Sequence, residues 1–231
     1  IYDGEIEKIH YLKNSEDISK DIVSKLKNHE DFRKLFSNFL YEIGYNKGGT
    51  FWDRFVVRVA PAENNLPYRE ASRINIHRDT WGTNLYQQIN WWAPVSNVEE
   101  KNTMIFYPDY FDVPVKNTTS TWDLNIYLAN RKKGDFSYPS APQLKEDLPS
   151  NINKIPVTIK PGEILCFSGA HLHSSSKEKS ENTRISFEIR TICENDINNS
   201  AQAPNVDCDL QWKFPKIFKK INDNSPLKIT S

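Results

Sequence analysis

The chain has 231 residues, which is enough for one sizeable hydrophobic core, and a single β-sandwich or barrel can use that whole length. Its 30 Lys and Arg residues balance 30 Asp and Glu residues, so we expect no nucleic-acid or membrane partner and favour a small-molecule substrate. Three cysteines without CxxC spacing, no apolar run approaching 18 residues and no signal-peptide pattern at the amino end together predict a cytoplasmic protein.

Residues 1–50 are predicted to be a helical leader. Apolar residues recur there at three- and four-residue spacing, as in Ile18, Ile22, Leu26 and the series Phe32, Leu35, Phe36, Phe39 and Leu40. We expect these helices to support a sheet.

From Phe51 onward the apolar pattern changes to a period of two. This period predicts strands at 55–59, 73–77 and 86–95, separated by turn residues. Residues 96–153 are less regular and are predicted to form long pocket-wall loops with one short helix near 125–130. The body of the protein is therefore predicted to be mainly β.

Strands are predicted again at 155–159, 163–167 and 184–192. A polar tract follows Cys193, and the apolar residues around Phe218 then predict either a docked closing element or a mobile tail. We predict a single domain over 1–231, with the leader at 1–50, a β core at 51–192 and the closing part at 193–231.

The segment RINIHRDTW holds His77 and Asp79 two residues apart in an alternating strand, so both side chains are expected on one face. Together with one distant histidine they would form a 2-His-1-carboxylate site, which leaves three iron positions for a chelating co-substrate and dioxygen. HxD alone is a short pattern, and a strand-end histidine bonded to a neighbour is its other interpretation.

A later segment, GEILCFSGAHLHSSSKEKSENTRISFEIR, contains both candidates for the distant histidine, His171 and His173. It also contains Arg184 with Ser186 two positions on, and strand alternation places these two side chains on one face. The planar, permanently charged guanidinium of arginine suits the capture of a carboxylate at the floor of a pocket.

The motifs HRDTW, QINWWAP, FYPDYFD and GAHLHS…TRISFEIRT, taken together over about Phe51–Ile192, resemble the phytanoyl-CoA dioxygenase-like family of Fe(II)- and 2-oxoglutarate-dependent oxygenases. The resemblance implies a double-stranded β-helix, the cupin-like jelly roll. It implies that His77, Asp79 and His173 bind iron, His173 being favoured over His171 by its spacing to Arg184.

The same resemblance implies that Arg184, helped by Ser186, binds the distal carboxylate of 2-oxoglutarate. Gln88 and Asn90, a polar pair on one face of the following strand, would hold the co-substrate, support a ligand, or form a structural network. Three further residues would either line the substrate cavity or pack in the core: Arg58, Trp81 and Tyr107.

The implied activity is O2-dependent hydroxylation of a small polar metabolite or natural-product intermediate, with release of succinate and CO2. In the related halogenases a small residue stands at the position of Asp79, so its carboxylate disfavours halogenation. Desaturation or ring formation remain open, as do a cupin-type metal enzyme with no need of Arg184 and a non-catalytic jelly-roll binding module. The sequence leaves the oligomeric state open.

Overall fold

Two antiparallel sheets form the body of the protein. The computed structural model describes residues 25, 30–53, 55–60, 62, 74–135, 137–178 and 180–229. The strands are β1 (Thr50–Trp52), β2 (Val56–Ala60), β3 (Ile89–Pro94), β4 (Met104–Phe106), β5 (Ile155–Pro156), β6 (Leu165–Ser168), β7 (His173–Ser175), β8 (Arg184–Cys193) and β9 (Lys219–Lys220).

Four α-helices accompany these strands in the described ranges: α1 (Glu30–Glu42), α2 (Thr80–Thr83), α3 (Leu124–Lys132) and α4 (Glu194–Asn198). Short 3-10 helices lie at Pro108–Tyr110 and Pro215–Ile217. None of the described helices combines the length and the apolarity that crossing a bilayer would require.

The strand order identifies the jelly roll. The larger sheet runs β6-β3-β8-β1-β9 with β2 also paired to β8, and the smaller runs β5-β4-β7. A bridge between His77 and His173 adds segment 74–77 to the smaller sheet beside β7. Along the chain, successive segments thus alternate between the larger sheet (β2, β3, β6, β8) and the smaller sheet (74–77, β4 with β5, β7), as in the predicted double-stranded β-helix.

Helix α1 covers the outer face of the larger sheet. Its buried residues Phe36 and Leu40 pack with Ile185 and Ile189 of β8 in one apolar cluster. Because side chains alternate along a strand, the remaining set on β8, namely Arg184, Ser186, Glu188 and Arg190, points to the space between the sheets. The interior of the barrel is therefore polar on this side.

Most predicted elements of the core are confirmed. The strands at 56–60, 89–94, 165–168 and 184–193 and the helix at 124–132 overlap their predicted ranges. Helix α1 confirms the helical pattern for residues 30–42, whereas the predicted helices at 1–24 and 26–29 lie outside the described residues.

Three regions differ from the prediction. The strand predicted at 73–77 is reduced to the bridge at His77 within its described part, and the strand predicted at 155–159 covers only 155–156. The region predicted as loops contains β4, because the short apolar run there pairs with β5 and β7. Local periodicity cannot detect a strand of three residues, which is specified by its partners.

The carboxyl-terminal segment docks on the body rather than forming a mobile tail. Phe218 has no exposed surface and packs with Phe51, Leu85, Ile192 and Leu227. Strand β9 pairs with β1 at the edge of the larger sheet. This confirms the closing-element alternative, while the division of 1–231 into a single domain stays a prediction.

Candidate metal centre

Three side chains converge between the two sheets. His77 Nε2 lies 3.7 Å from Asp79 Oδ1, and His173 Nε2 lies 3.7 Å from Asp79 Oδ2. One potential ligand atom from each residue lies within 4.8 Å of the others, and this is the group of metal-ligating side chains found in the described part of the chain. Two imidazoles and one carboxylate are a donor set that suits Fe(II) and leaves positions for other ligands.

Backbone pairing brings the two histidines together. The amide of His77 donates to the carbonyl of His173 at 3.0 Å, and the reverse bond has the same length. Asp79 reaches the pair in a different way from the predicted strand alternation, since it has helical backbone angles (φ −64, ψ −29) and precedes α2. The prediction of a shared strand face was wrong in detail, because a turn, not pleating, brings Asp79 next to His77.

Each imidazole is oriented by its Nδ1 atom. His77 Nδ1 donates to the carbonyl of Asn75 at 2.8 Å, and His173 Nδ1 donates to that of His171 at 2.9 Å. A carbonyl only accepts, so the proton sits on Nδ1 and the Nε2 lone pair is left for a metal.

The protonation states also fit a metal. Burial and the nearby His77 lower the pKa of His173 to about 4, so its ring is neutral at neutral pH. Burial acts to raise the pKa of Asp79, but the neighbouring His77 and His173 side chains and the positive charge of Arg190 outweigh it, and the pKa is lowered. Neutral imidazoles and an ionised carboxylate are the forms that bind metals.

His171 is not part of the converging group. Its Nδ1 bonds to the carbonyl of Ser168 at 3.1 Å, and its ring lies 4.5 Å from that of Phe111 between ring centroids. Of the two candidates for the distant histidine, the one that approaches Asp79 is therefore His173.

A chain of three polar side chains, which we call the amide relay (Thr83, Gln88 and Asn90), supports the Asp79 carboxylate. Thr83 Oγ1 donates to Gln88 Oε1 at 3.2 Å, Gln88 Nε2 donates to Asn90 Oδ1 at 2.9 Å, and Asn90 Nδ2 donates to Asp79 Oδ2. Gln88 and Asn90 thus lie behind the carboxylate of a candidate metal ligand, which is the supporting position among the predicted alternatives.

Gly169 is required by the amide relay. A Cβ atom at this position would lie 2.5 Å from Gln88 Nε2 and 3.4 Å from Asn90 Oδ1. Gln88 has no exposed surface, so its amide has little room to move away. Only glycine lets the chain pass this close to the relay.

Arg190 links Asp79 to a second carboxylate. Its Nη1 lies 3.9 Å from Asp79 Oδ1, and its Nε donates to Asp53 Oδ2 at 2.5 Å. Asp53 also accepts from the backbone amide of Arg190 at 2.9 Å. The guanidinium therefore lies between two carboxylates, with Asp53 at its Nε and Asp79 near its Nη1. The sequence prediction did not select the Arg190–Asp53 pair. The polar residues at every second position of β8 were the pattern that could have indicated Arg190.

Arg184 and Ser186 are buried, and each has a polar atom that bonds to no other described residue. Among the described residues, Arg184 Nε and Ser186 Oγ have no hydrogen-bond partner, and the two residues are 3% and 0% exposed. Burial, with Arg58 nearby, lowers the pKa of Arg184 to about 10, which leaves it charged at neutral pH. Buried polar atoms are rarely unpartnered, so this pair fits a bound anion such as a carboxylate.

The remaining predicted residues separate into two groups. Arg58 forms a two-pronged ion pair with Glu188, from Nε to Oε2 at 2.9 Å and from Nη2 to Oε1 at 2.6 Å. Trp81 and Tyr107 instead pack in one buried cluster, with 0% and 6% exposure. Of the two predicted roles, lining the substrate cavity or packing in the core, these two aromatic residues have the second.

Arg78 and Asp207 form a buried hub that the sequence prediction missed. Arg78 Nε donates to Asp207 Oδ2 at 3.1 Å, and Trp81 Nε1 donates to Asp207 Oδ1 at 2.7 Å. The Arg78 guanidinium also donates to the carbonyls of Ala170 and Tyr110, both at 2.6 Å. Arg78, which lies between the candidate ligands His77 and Asp79, is thus bonded to Asp207 in the polar tract that follows Cys193.

A surface depression of about 520 Å³ lies elsewhere, where Tyr45 and Asn46 face Cys193 and Glu194 at the end of β8. It contains none of the converging residues. The converging side chains therefore lie apart from this depression, between the two sheets.

Comparison with known proteins gives no family match, since no protein-family profile matches the sequence and no curated protein is significantly similar. Several solved structures are similar to it. EvdO2 from Micromonospora carbonacea var. aurantiaca aligns over 85% of this chain and 68% of its own, with a TM-score of 0.48 and 10% identity. EvdO2 has also been solved in complex with 2-oxoglutarate.

The carbocyclase SnoK from nogalamycin biosynthesis, a non-heme α-ketoglutarate-dependent enzyme, aligns over 74% of this chain and 63% of its own, with a TM-score of 0.41 and 14% identity. The non-heme monooxygenase ThoJ aligns over 63% of this chain, with a TM-score of 0.42 and 14% identity. This chain covers 47% of ThoJ and 27% of EvdMO1. Similarity at this level assigns no family, so the resemblance to the phytanoyl-CoA dioxygenase-like family stays a prediction.

Proposed function

We propose that the protein is an Fe(II)- and 2-oxoglutarate-dependent oxygenase. In this proposal His77, Asp79 and His173 bind the iron, and Arg184 with Ser186 binds the distal carboxylate of 2-oxoglutarate. One observation carries the proposal: a 2-His-1-carboxylate group lies in the same barrel interior as a buried arginine, Arg184, whose Nε has no hydrogen-bond partner among the described residues. The metal triad alone would serve a cupin-type enzyme, whereas the arginine accounts for a dicarboxylate co-substrate.

Iron with 2-oxoglutarate and O2 supplies the oxidising power that removes hydrogen from a substrate, with release of succinate and CO2. The protein's own part is placement and charge. The two Nδ1 bonds aim the imidazoles, the amide relay fixes Asp79, and Arg184 sets the direction of the co-substrate through a charge-assisted bond.

We propose hydroxylation of a small polar molecule as the reaction type, in the cytoplasm. The carboxylate of Asp79 supports this, because it fills a ligand position that a halide would otherwise take. The equal numbers of acidic and basic residues support a small molecule over nucleic acid.

The two neighbouring histidines provide a matched test of the metal site. His173→Ala is expected to abolish Fe(II) binding in anaerobic titration calorimetry, because one of three protein ligands is lost. His171→Ala is the control, since its ring packs on Phe111 and its Nδ1 bonds to the Ser168 carbonyl. Equal Fe(II) affinity in both variants would reject the proposed ligand set.

The co-substrate is tested separately by adding 2-oxoglutarate to the anaerobic Fe(II) protein. A weak visible charge-transfer band in the green is expected. Iron binding without this band would favour a cupin-type enzyme that does not use 2-oxoglutarate, and absence of iron binding would favour a non-catalytic binding module.

A further inference from the structure

Arg58 and Glu188 form an ion pair that neither the proposed iron ligands nor the 2-oxoglutarate anchor uses. Glu188 lies between Ser186 and Arg190 on the inward face of β8, and Arg58 lies opposite Ser186 on β2. The pair therefore sits between the predicted anchor of the co-substrate and the arginine that contacts Asp79.

The ion pair is partly accessible to water. Strand β8 has β3 on one side and β2 with β1 on the other, and its outer face lies under α1. Even so, the side chains of Arg58 and Glu188 are 33% and 29% exposed, whereas Arg184 on the same face is 3% exposed. Strand alternation places both side chains on the inward face of the sheet, so a ligand entering the barrel would meet the pair.

The hydrogen-bonding capacity of this ion pair is only partly used. The two bonds between Arg58 and Glu188 use two of the five guanidinium N–H groups and one lone pair on each carboxylate oxygen. Within the described part of the chain no other residue bonds to the remaining groups of Arg58, so both an anion-binding and a cation-binding side are presented to a ligand.

The charges of the interior restrict what that ligand can be. Among the described residues, the arginines at 58, 184 and 190 balance the carboxylates at 53, 79 and 188, so these interior side chains sum to no net charge. Fe(II) and the 2-oxoglutarate dianion also cancel. A substrate with a net charge would leave that charge uncompensated in a confined site, which is costly.

An apolar substrate fits the interior no better. It would remove water from the ion pair without replacing the lost hydrogen bonds. A molecule that carries one negative and one positive group keeps the net charge unchanged and gives each half of the pair a charged partner.

We propose that the Arg58–Glu188 pair recognises the substrate, and that the substrate is a small zwitterion whose carboxylate binds Arg58 and whose ammonium group binds Glu188. This proposal rests on the proposed oxygenase function, because the substrate would replace water beside the iron and 2-oxoglutarate. It assigns a substrate class to the same site.

The wild-type holoenzyme with Fe(II), 2-oxoglutarate and O2 tests the substrate class directly. Succinate release is measured with free α-amino acids, their N-acetyl derivatives (anions), their amides (cations) and neutral polyols. At least one free amino acid is expected to stimulate release with a kcat/KM at least tenfold above those of its own two derivatives. Stimulation only by derivatives or polyols, or by no compound, overturns the proposal.

Failure of the oxygenase function gives a different result. In that case the green band and the slow substrate-free succinate release are both missing. If both are present and zwitterions have no effect, the substrate proposal alone fails.

A paired substitution tests the residues. Arg58→Gln with Glu188→Gln keeps the interior charge sum at zero and lets the two amides bond to each other. We expect the KM of the stimulating amino acid to rise at least tenfold and its preference over the N-acetyl derivative to be lost. The matched control is Lys116→Gln with Glu146→Gln, which removes an exposed ion pair of 2.7 Å. An unchanged KM in the Arg58→Gln, Glu188→Gln variant overturns the proposal.

Discussion

Replacing Gly169 with alanine is expected to weaken metal binding without unfolding the protein. The new Cβ would lie 2.5 Å from Gln88 Nε2, about 0.9 Å inside the 3.4 Å at which ordinary contacts begin. The clash is with the end of a buried side chain that has little free space, so pushing the Gln88 amide out of position costs about 1–3 kcal/mol of overpacking. That movement breaks the bond to Asn90, whose Nδ2 orients Asp79.

Loss of a group that orients a metal ligand typically lowers metal affinity about 10- to 100-fold, equivalent to about 1.4–2.8 kcal/mol. Anaerobic Fe(II) titration of Gly169→Ala measures this loss, and thermal unfolding of the metal-free protein measures the stability cost. Gly82→Ala is the matched control, because a Cβ there meets no atom within 4 Å. If both variants bind Fe(II) within twofold of the wild type, the amide relay does not position Asp79.

Two further predictions concern the carboxyl-terminal segment. Asp207→Asn leaves the buried Arg78 guanidinium without its counter-ion and should lower the free energy of unfolding in urea by about 3–5 kcal/mol, whereas the exposed Asp209→Asn should change it by less than about 0.5 kcal/mol. Equal urea midpoints would contradict the buried hub. Phe218→Ala should cost about 3–5 kcal/mol by thermal or urea unfolding because its ring is fully buried, and the half-buried Phe214→Ala should cost less. The reverse order would mean that Phe218 does not dock on the sheet.

The parts of the fold that were predictable are those with local signals. The ten-residue strand at 184–193 and the helix at 30–42 have clear periods of two and of three to four residues. Strand β4 has only three residues and forms because β5 and β7 flank it, which no local pattern encodes. The helical φ and ψ of Asp79 likewise follow from the turn into α2, and neighbouring letters in an HxD pattern do not reveal that turn.

The candidate site was predictable where residue chemistry is distinctive and unpredictable where it depends on long-range pairing. Imidazole and carboxylate side chains at His77 and Asp79 indicated a candidate metal site, and the structure brings them together with His173. The partnership of Arg78 with Asp207 joins positions 129 residues apart, and the sequence around Asp207 shows nothing but a polar tract. The charge of Glu188 was visible at its place in β8, but its pairing with Arg58 required the register of β2 against β8.

The most direct test of the oxygenase proposal is the affinity for 2-oxoglutarate when Arg184 is replaced by methionine, which is similar in length and uncharged. Anaerobic titration of the Fe(II) protein with 2-oxoglutarate, followed by the green absorbance band, gives this affinity. We predict about 30-fold or greater weakening, from the loss of a charge-assisted bond, with Fe(II) affinity unchanged. An unchanged 2-oxoglutarate affinity in Arg184→Met, or no band in the wild type, would contradict the proposal.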